Sequence, residues 1–404
     1  VELPTALART LRIACVTETY PPEVNGVAVT VARLVEGLHA RGHDLQLVRP
    51  RQRGEAGAPA PRERFDEVLV RGVPIPGYAG LRMGLPCRRT LLGLWKARRP
   101  DIVHIATEGP LGRSALQAAR ALGLPTCSDF RTNFHAYSAH YGIGWLERPI
   151  LAYLRRFHNA TGCTMVPTAA LHRELEAEGL RNVTVVARGV DTRRFDPARR
   201  SEALRAQWGA RPDQLVVGYI GRLAPEKNLE VLLLAFDAVR ATDPRARLVF
   251  VGDGPMRAQL QARCPDAHFA GQRTGEDLAA HYASADLFLF PSLTETFGNV
   301  TTEAMSSGLA VVAFDYAAAA RFIRSEVDGV LVPFGDADAF VAAAARTARD
   351  LARCRALGAQ ARETARGLDW AGVVAQFEGV IASVLREAAA AAAPAGRAAA
   401  PTSA

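Results

Sequence analysis

The 404-residue chain reads as an α/β protein of two Rossmann-like halves, each a parallel sheet, facing a common cleft. Three observations predict this class. The length exceeds what one ordinary core sustains, which argues for two domains. Short β-rich runs alternate with longer helical patterns, as strands joined by crossover helices require. That alternation runs twice, with a polar, proline-closed stretch between the two series.

In the first series the expected strands are 11–17 (LRIACVT), 45–49, 101–106 (DIVHIA), 124–128, 162–166 and 183–187. Each is a short β-rich run. Helical patterns at about 27–40, 112–122, 145–158 and 168–178 separate them. The stretch 188–197, RGVDTRRFDP, is polar and ends on proline, so it reads as a linker. The second series begins at 215–221 (LVVGYIG) and continues through 247–252, 286–291 and 309–314. This sets a first domain at 1–190 and a second at 198–365, followed by a helix at 369–387 with Trp370 and Phe377. From Ala388 on, the alanine- and proline-rich tail is expected to be disordered.

Composition narrows the function classes. The chain is 49% hydrophobic and 22% charged, with mean hydropathy +0.01, as in soluble globular proteins. No apolar run approaches the ~20 residues of a membrane-spanning helix. Val1 to Thr10 lacks a basic-then-apolar pattern, so no secretory leader is expected. Cys15, Cys87, Cys127, Cys163, Cys264 and Cys354 are scattered without a CxxC, which removes a zinc ribbon and a disulfide framework. A reducing cytoplasm fits best. Of 49 basic residues only Lys96 and Lys227 are lysines, so most arginine reflects a compositional bias. The charge is nevertheless localised: residues 41–100 hold 13 basic and five acidic residues, and the rest is near balance. One charged face is implied.

Two constellations could carry chemistry. In Gly221-Arg222-Leu-Ala-Pro225-Glu-Lys227-Asn a strand ends at Gly221 and Pro225 suits the opening of the next helix. Lys227 would then stand in the first turn, where the helix dipole disfavours a cation by about 0.3–1 kcal/mol. Arg222 adds a second charge beside it. An anion there resolves the conflict, since amides and both cations converge on it. The plainer alternative is a surface pair with Glu226 or Glu230. In Pro291-Ser-Leu-Thr-Glu295-Thr-Phe297-Gly298-Asn299-Val-Thr-Thr-Glu303 a buried strand runs into a loop, and a helix starts near Asn299. Glu295 falls at the strand's C-terminal end, where such sheets bind ligands. The amides of Phe297, Gly298 and Asn299 are expected to point at an anion or a sugar hydroxyl, and Glu303 in the first turn faces the same space. Glu303 alone could simply favour the helix dipole.

With GRLAPEKN at 221–228 and GDGP at 252–255, this glutamate pair resembles the retaining glycosyltransferases of family 4, which have the GT-B fold. DFRTNFHAYSAHYG (129–142), PSLTETFGNVT (291–301) and AFDYAAAAR (313–321) resemble bacterial GDP-mannose-dependent α-mannosyltransferases, and sulfoquinovosyldiacylglycerol synthases share similar motifs. The resemblance implies that the first domain takes the acceptor and the second the nucleotide-sugar donor, with the last helix crossing back. It implies that Arg222 and Lys227 hold the donor diphosphate, and that Glu295 contacts the transferred sugar beside the amides of Phe297, Gly298 and Asn299. It further implies that Glu303 binds the ribose, that Asn25 and Gly26 approach the phosphates, and that His135 holds a sugar hydroxyl and orients the acceptor. Ala317–Ala320 depart from the Gly-Gly pair that many members carry there. The implied reaction moves a hexosyl group, most often mannosyl, to an acceptor hydroxyl with retention. A UDP-sugar-dependent lipid glycosyltransferase, a sugar-nucleotide epimerase and a non-catalytic nucleotide-sugar-binding module are the alternatives.

No cofactor and no metal are expected. His135 and His140 lack a third ligand with suitable spacing, and no DxD pair accompanies the proposed cleft. A third feature, residues 80–100, combines Leu81, Met83, Leu85, Leu91, Leu92, Leu94 and Trp95 with Arg82, Arg88, Arg89, Lys96, Arg98 and Arg99. Bases beside apolar anchors suit an anionic membrane surface; a helix with leucines inward and arginines in water is the alternative. Without a stacking platform or a DNA-binding motif, nucleic acid is not an expected partner. The expected setting is the inner face of a bacterial plasma membrane, with a lipid or glycan acceptor.

Overall fold

A computed structural model describes residues 9–23, 25–52, 55, 65–75, 82–131 and 147–392. The first sheet contains β1 (Arg12–Val16), β2 (Asp44–Pro50) and β3 (Asp66–Val70). An antiparallel hairpin of β4 (Gly72–Pro74) and β5 (Arg82–Gly84) follows. The sheet is completed by β6 (Ile102–Ile105), β7 (Thr126–Asp129), β8 (Cys163–Val166) and β9 (Val183–Val185). The second sheet is built from β10 (Val216–Ile220), β11 (Arg247–Val251), β12 (His268–Gly271), β13 (Leu287–Phe290), β14 (Ala310–Phe314) and β15 (Val330–Val332).

The spatial orders are β3-β2-β1-β6-β7-β8-β9 and β12-β11-β10-β13-β14-β15, and every neighbouring pair in both is parallel. The expected α/β class and two-sheet architecture are therefore present. Each sheet reverses its winding at one point, between β1 and β6 in the first and between β10 and β13 in the second. Ligands bind outside the carboxyl ends of strands at such points.

β6, β7, β8, β10, β13 and β14 are buried at every position. β10, β13 and β14 are accordingly apolar runs, whereas β7 (TCSD) buries polar side chains that are hydrogen-bonded, Ser128 to His158 and Asp129 to His104. The helix Gly26–Ala40 lays Val31, Leu34, Val35 and Leu38 on the first sheet. The last helix, Trp370–Ala392, adds Val374, Phe377 and Ile381 to the same core. The two helices touch so closely that a Cβ on Gly37 would lie 2.5 Å from Val374 Cγ2. Segment Leu351–Ala392 has a window of mean hydropathy 1.3 and passes the length test for a membrane span, a property the sequence reading did not anticipate. Buried Glu378 in this segment accepts from Arg41 Nε at 2.8 Å and pairs with His43 Nε2 at 2.9 Å. One face of the helix packs on the first sheet, and 33% of the apolar window is buried.

The stretch 188–197 joins the sheets but is packed rather than solvated. Val190 and Phe195 enter the second core, Asp191 pairs with Arg33, and Phe195 O accepts from Ser306 Oγ at 2.7 Å.

Candidate active site

The loops that leave β10 and β13, at the second sheet's reversal point, bring the two predicted constellations together. Lys227 Nζ donates to Glu295 Oε1 in a short contact, and Ser292 Oγ donates to the same oxygen at 2.8 Å. Tyr316 OH donates to the Glu295 carbonyl at 2.9 Å, and Leu293 N to the Glu226 carbonyl at 3.3 Å, so the two loops are tied. Gly252 in GDGP lets the neighbouring loop close in: at φ +138°, a Cβ there would lie 1.9 Å from Gly221 O.

The local geometry around Lys227 differs from the expectation. Pro225–Lys227 form a 3₁₀ turn, Asn228 is left-handed at φ +54°, and the α-helix begins at Leu229. Lys227 thus lies just before the N-cap rather than in the helix's first turn. Its charge is met by Glu295, 68 residues on. Arg222 Nη1 lies 3.5 Å from Glu226 Oε1, which is the plainer pairing considered above.

Gly298, left-handed at φ +88°, caps the helix Asn299–Ser306, and a Cβ on it would lie 3.6 Å from Glu295 Cγ. Glu303 stands in the second turn of that helix, not the first. It accepts from Tyr282 OH at 2.9 Å, and burial pushes its carboxyl up to about 7 against the lowering by Tyr282 and Arg194. A pocket of about 230 Å³ beside Glu295 is lined by Phe290, Ser292, Phe297, Tyr316 and Ala317 among others. Ala317, in the run that departs from Gly-Gly, has φ +54°, a left-handed conformation that favours glycine.

From the first domain, Asn25 caps the helix Gly26–Ala40 by accepting from Ala28 N at 2.8 Å. Gly26 abuts the second domain: a Cβ there would lie 3.3 Å from Asn299 Nδ2. Two helix N-termini, at Gly26 and at Asn299, therefore face one another. At the ends of β6 and β7, Asp129 accepts from His104 Nε2 at 2.7 Å and from Arg131 Nε at 2.8 Å. Burial pushes Asp129 up, but Arg131 and His104 hold it down at about 2. Glu108 is buried with Oε1 unpartnered among the described residues, and burial pushes it up to about 8. His135 and His140 lie outside the described residues. Among the described residues, no group of three or more His, Cys, Asp and Glu could hold a metal ion.

Sequence reasoning missed Arg188, which lay in the stretch read as a linker. Its guanidinium sits 5.5 Å over the Phe297 ring and 3.5 Å from Asn299 Oδ1.

Two parallel Rossmann-like sheets, with charged loops at the second sheet's reversal point, are the GT-B architecture. The chain belongs to glycosyltransferase family 4: residues 24–194 match the model described as Glycosyltransferase Family 4, and 214–350 that of Glycosyl transferases group 1. It is 39% identical over 332 residues to a GDP-mannose-dependent alpha-mannosyltransferase of Mycobacterium tuberculosis, covering 81% of this chain and 85% of the relative. It is 30% identical to the sulfoquinovosyl transferase SQD2 of Arabidopsis thaliana, over 91% of this chain and 72% of the relative. In fold it matches the sucrose-phosphate synthase of Thermosynechococcus elongatus at a TM-score of 0.77 and 21% identity, covering 94% of this chain and all of that one.

Proposed function

We propose that this glycosyltransferase moves a mannosyl group from GDP-mannose to a hydroxyl of a membrane lipid or lipid-linked glycan, with retention and without a divalent metal. The observation that supports the donor most is the 39% identity, over most of both chains, to a mannosyltransferase named for GDP-mannose. The site fits the chemistry. A diphosphate entering beside the β10 loop offers Lys227 and Arg222 an anion to share. Lys227 then exchanges Glu295 for phosphate, and Glu295 is released to accept hydroxyls of the transferred sugar. Glu303 and Tyr282 form a ready polar pair for the ribose, and His135 orients the acceptor.

The sequence offers no obvious nucleophile for the sugar, and retention is read as front-face displacement through an oxocarbenium-like state. The glycosidic C1–O bond breaks, the acceptor oxygen bonds to C1 on the same face, and the departing diphosphate takes the acceptor's proton. Stabilising that diphosphate is the main electrostatic task. Two fixed cations do here what a bound Mg²⁺ does elsewhere.

The membrane assignment rests on a smaller patch than residues 80–100. Leu91 and Trp95 point inward, with Trp95 Nε1 donating to Gln46 Oε1 at 3.0 Å. Arg98 pairs with Asp44 at 3.1 Å, and Arg99 donates to Leu122 O at 2.9 Å. Met83, Leu85, Arg88 and Arg89 remain exposed together, apolar and basic. These four suit the cytoplasmic face of an anionic membrane.

The test is turnover of GDP-mannose and of UDP-sugars in excess EDTA with a membrane lipid extract as acceptor. Transfer from GDP-mannose is expected to persist. A preference for a UDP-sugar would favour the sulfoquinovosyl or glucosyl alternative, and activity lost in EDTA but restored by Mn²⁺ would overturn the metal-independent reading.

A further inference from the structure

The cleft holds a third cation that neither the family motifs nor the sequence reading place there. Arg188 follows β9, the last strand of the first sheet, and is only 7% exposed. Its Nη2 has no hydrogen-bond partner among the described residues, and its Nη1 reaches Asn299 Oδ1 only at 3.5 Å. Among the described residues no carboxylate forms an ion pair with it. Asp129 is engaged by Arg131 and His104, and Glu295 by Lys227 and Ser292. Burial first, and then repulsion from Arg131, draw the guanidinium down to about 9, against Asp129 and Glu295. A buried, uncompensated charge of this kind is costly and calls for an anion.

The surroundings sharpen this. Asn299 opens one helix, and Gly26, which opens another, stands against the Asn299 side chain. Two helix N-termini and one guanidinium converge on the same spot, and each favours negative charge. Asp129 and Glu295, the two carboxylates whose charge reaches Arg188, are already engaged. We infer that Arg188 binds the donor's diphosphate from the first-domain side, as a third cation opposite Arg222 and Lys227. Because Arg188 and Asn25-Gly26 come from one domain and Asn299 from the other, the diphosphate bridges the two. The leaving group is then held from both sides as the glycosidic bond breaks. This inference rests on the donor reading given above.

The test is calorimetric titration of wild type, Arg188→Gln and Arg188→Lys with GDP, inorganic pyrophosphate and guanosine, together with melting curves of the unliganded proteins. Arg188→Gln is expected to weaken GDP and pyrophosphate about 10- to 100-fold, the worth of one charge-assisted hydrogen bond, and to leave guanosine unchanged. Arg188→Lys should recover most of the loss. The unliganded Arg188→Gln protein should melt no lower than wild type, since it loses a buried unpaired charge, a result that a merely structural arginine would not give. Equal affinity of Arg188→Gln and wild type for both diphosphates overturns the inference alone, as does a melting temperature lowered in both variants. A wild type that binds neither GDP nor pyrophosphate overturns the donor reading itself.

Discussion

Lys227→Ala separates the lysine's part in catalysis from its part in folding. The side chains of Lys227 and Glu295 are 12% and 14% exposed, so their pair is largely withdrawn from water. Removing the lysine leaves the Glu295 carboxylate with Ser292 Oγ at 2.8 Å as its remaining side-chain donor among the described residues. Breaking one side of a fully buried pair costs about 3–5 kcal/mol and of an exposed pair about 0–1, so this intermediate case should cost about 1–3. The catalytic loss is larger in effect: a fixed donor aimed at developing charge is worth about 10²–10³ in rate. The assay is turnover at saturating donor, with urea unfolding, for wild type, Lys227→Ala, Glu295→Ala and the double variant. The double variant should regain stability relative to Lys227→Ala, because no carboxylate is left unpaired, yet remain as inactive. Turnover of Lys227→Ala of the same order as wild type would refute the reasoning, as would recovery of activity together with stability in the double variant.

Three other outcomes are expected. Glu295→Ala should lower turnover far more than it weakens GDP binding; equal losses would move Glu295 to the nucleotide end. Arg88→Glu with Arg89→Glu should abolish binding to anionic vesicles while GDP binding is unchanged, and undiminished vesicle binding would remove the membrane assignment. Glu108→Gln should flatten the pH dependence of stability. Below about 4.5 the Glu108 carboxyl is neutral in both states; as pH rises the unfolded chain ionises first, so native stability falls until the buried carboxyl ionises near 8. Melting curves from pH 4 to 9, bracketing those values, should show a shallower alkaline decline in the variant; parallel declines would contradict this.

How far the sequence foretold this structure depends on burial and on distance along the chain. Strands buried on both faces, such as Leu287–Phe290 and Ala310–Phe314, are apolar throughout and were legible. His268–Gly271 and Asp66–Val70 lie at sheet edges and are half-buried, so their mixed sequences carried no run to read. Pro225 was legible as an element opener, but the left-handed Asn228 that splits the 3₁₀ turn from the helix was not. The pairing of Lys227 with Glu295 joins two strands' loops, and only the sheet order brings them together. Arg188 was hidden for the opposite reason: a polar stretch closing on proline looks like solvent-exposed linker, although tertiary packing buries its Val190 and Phe195. Residues 80–100 were legible as amphipathic, but which leucines faced inward depended on the register of the helix Arg88–Ala97.

The central claim is retentive mannosyl transfer, and the anomeric configuration of the product tests it most directly. The protein is incubated with GDP-α-mannose labelled at the anomeric carbon and an inner-membrane lipid extract, and the glycolipid formed is examined by NMR. The account predicts an α-mannoside, formed with one GDP released per sugar transferred. A β-mannoside, or GDP release with free mannose and no glycolipid, would contradict it.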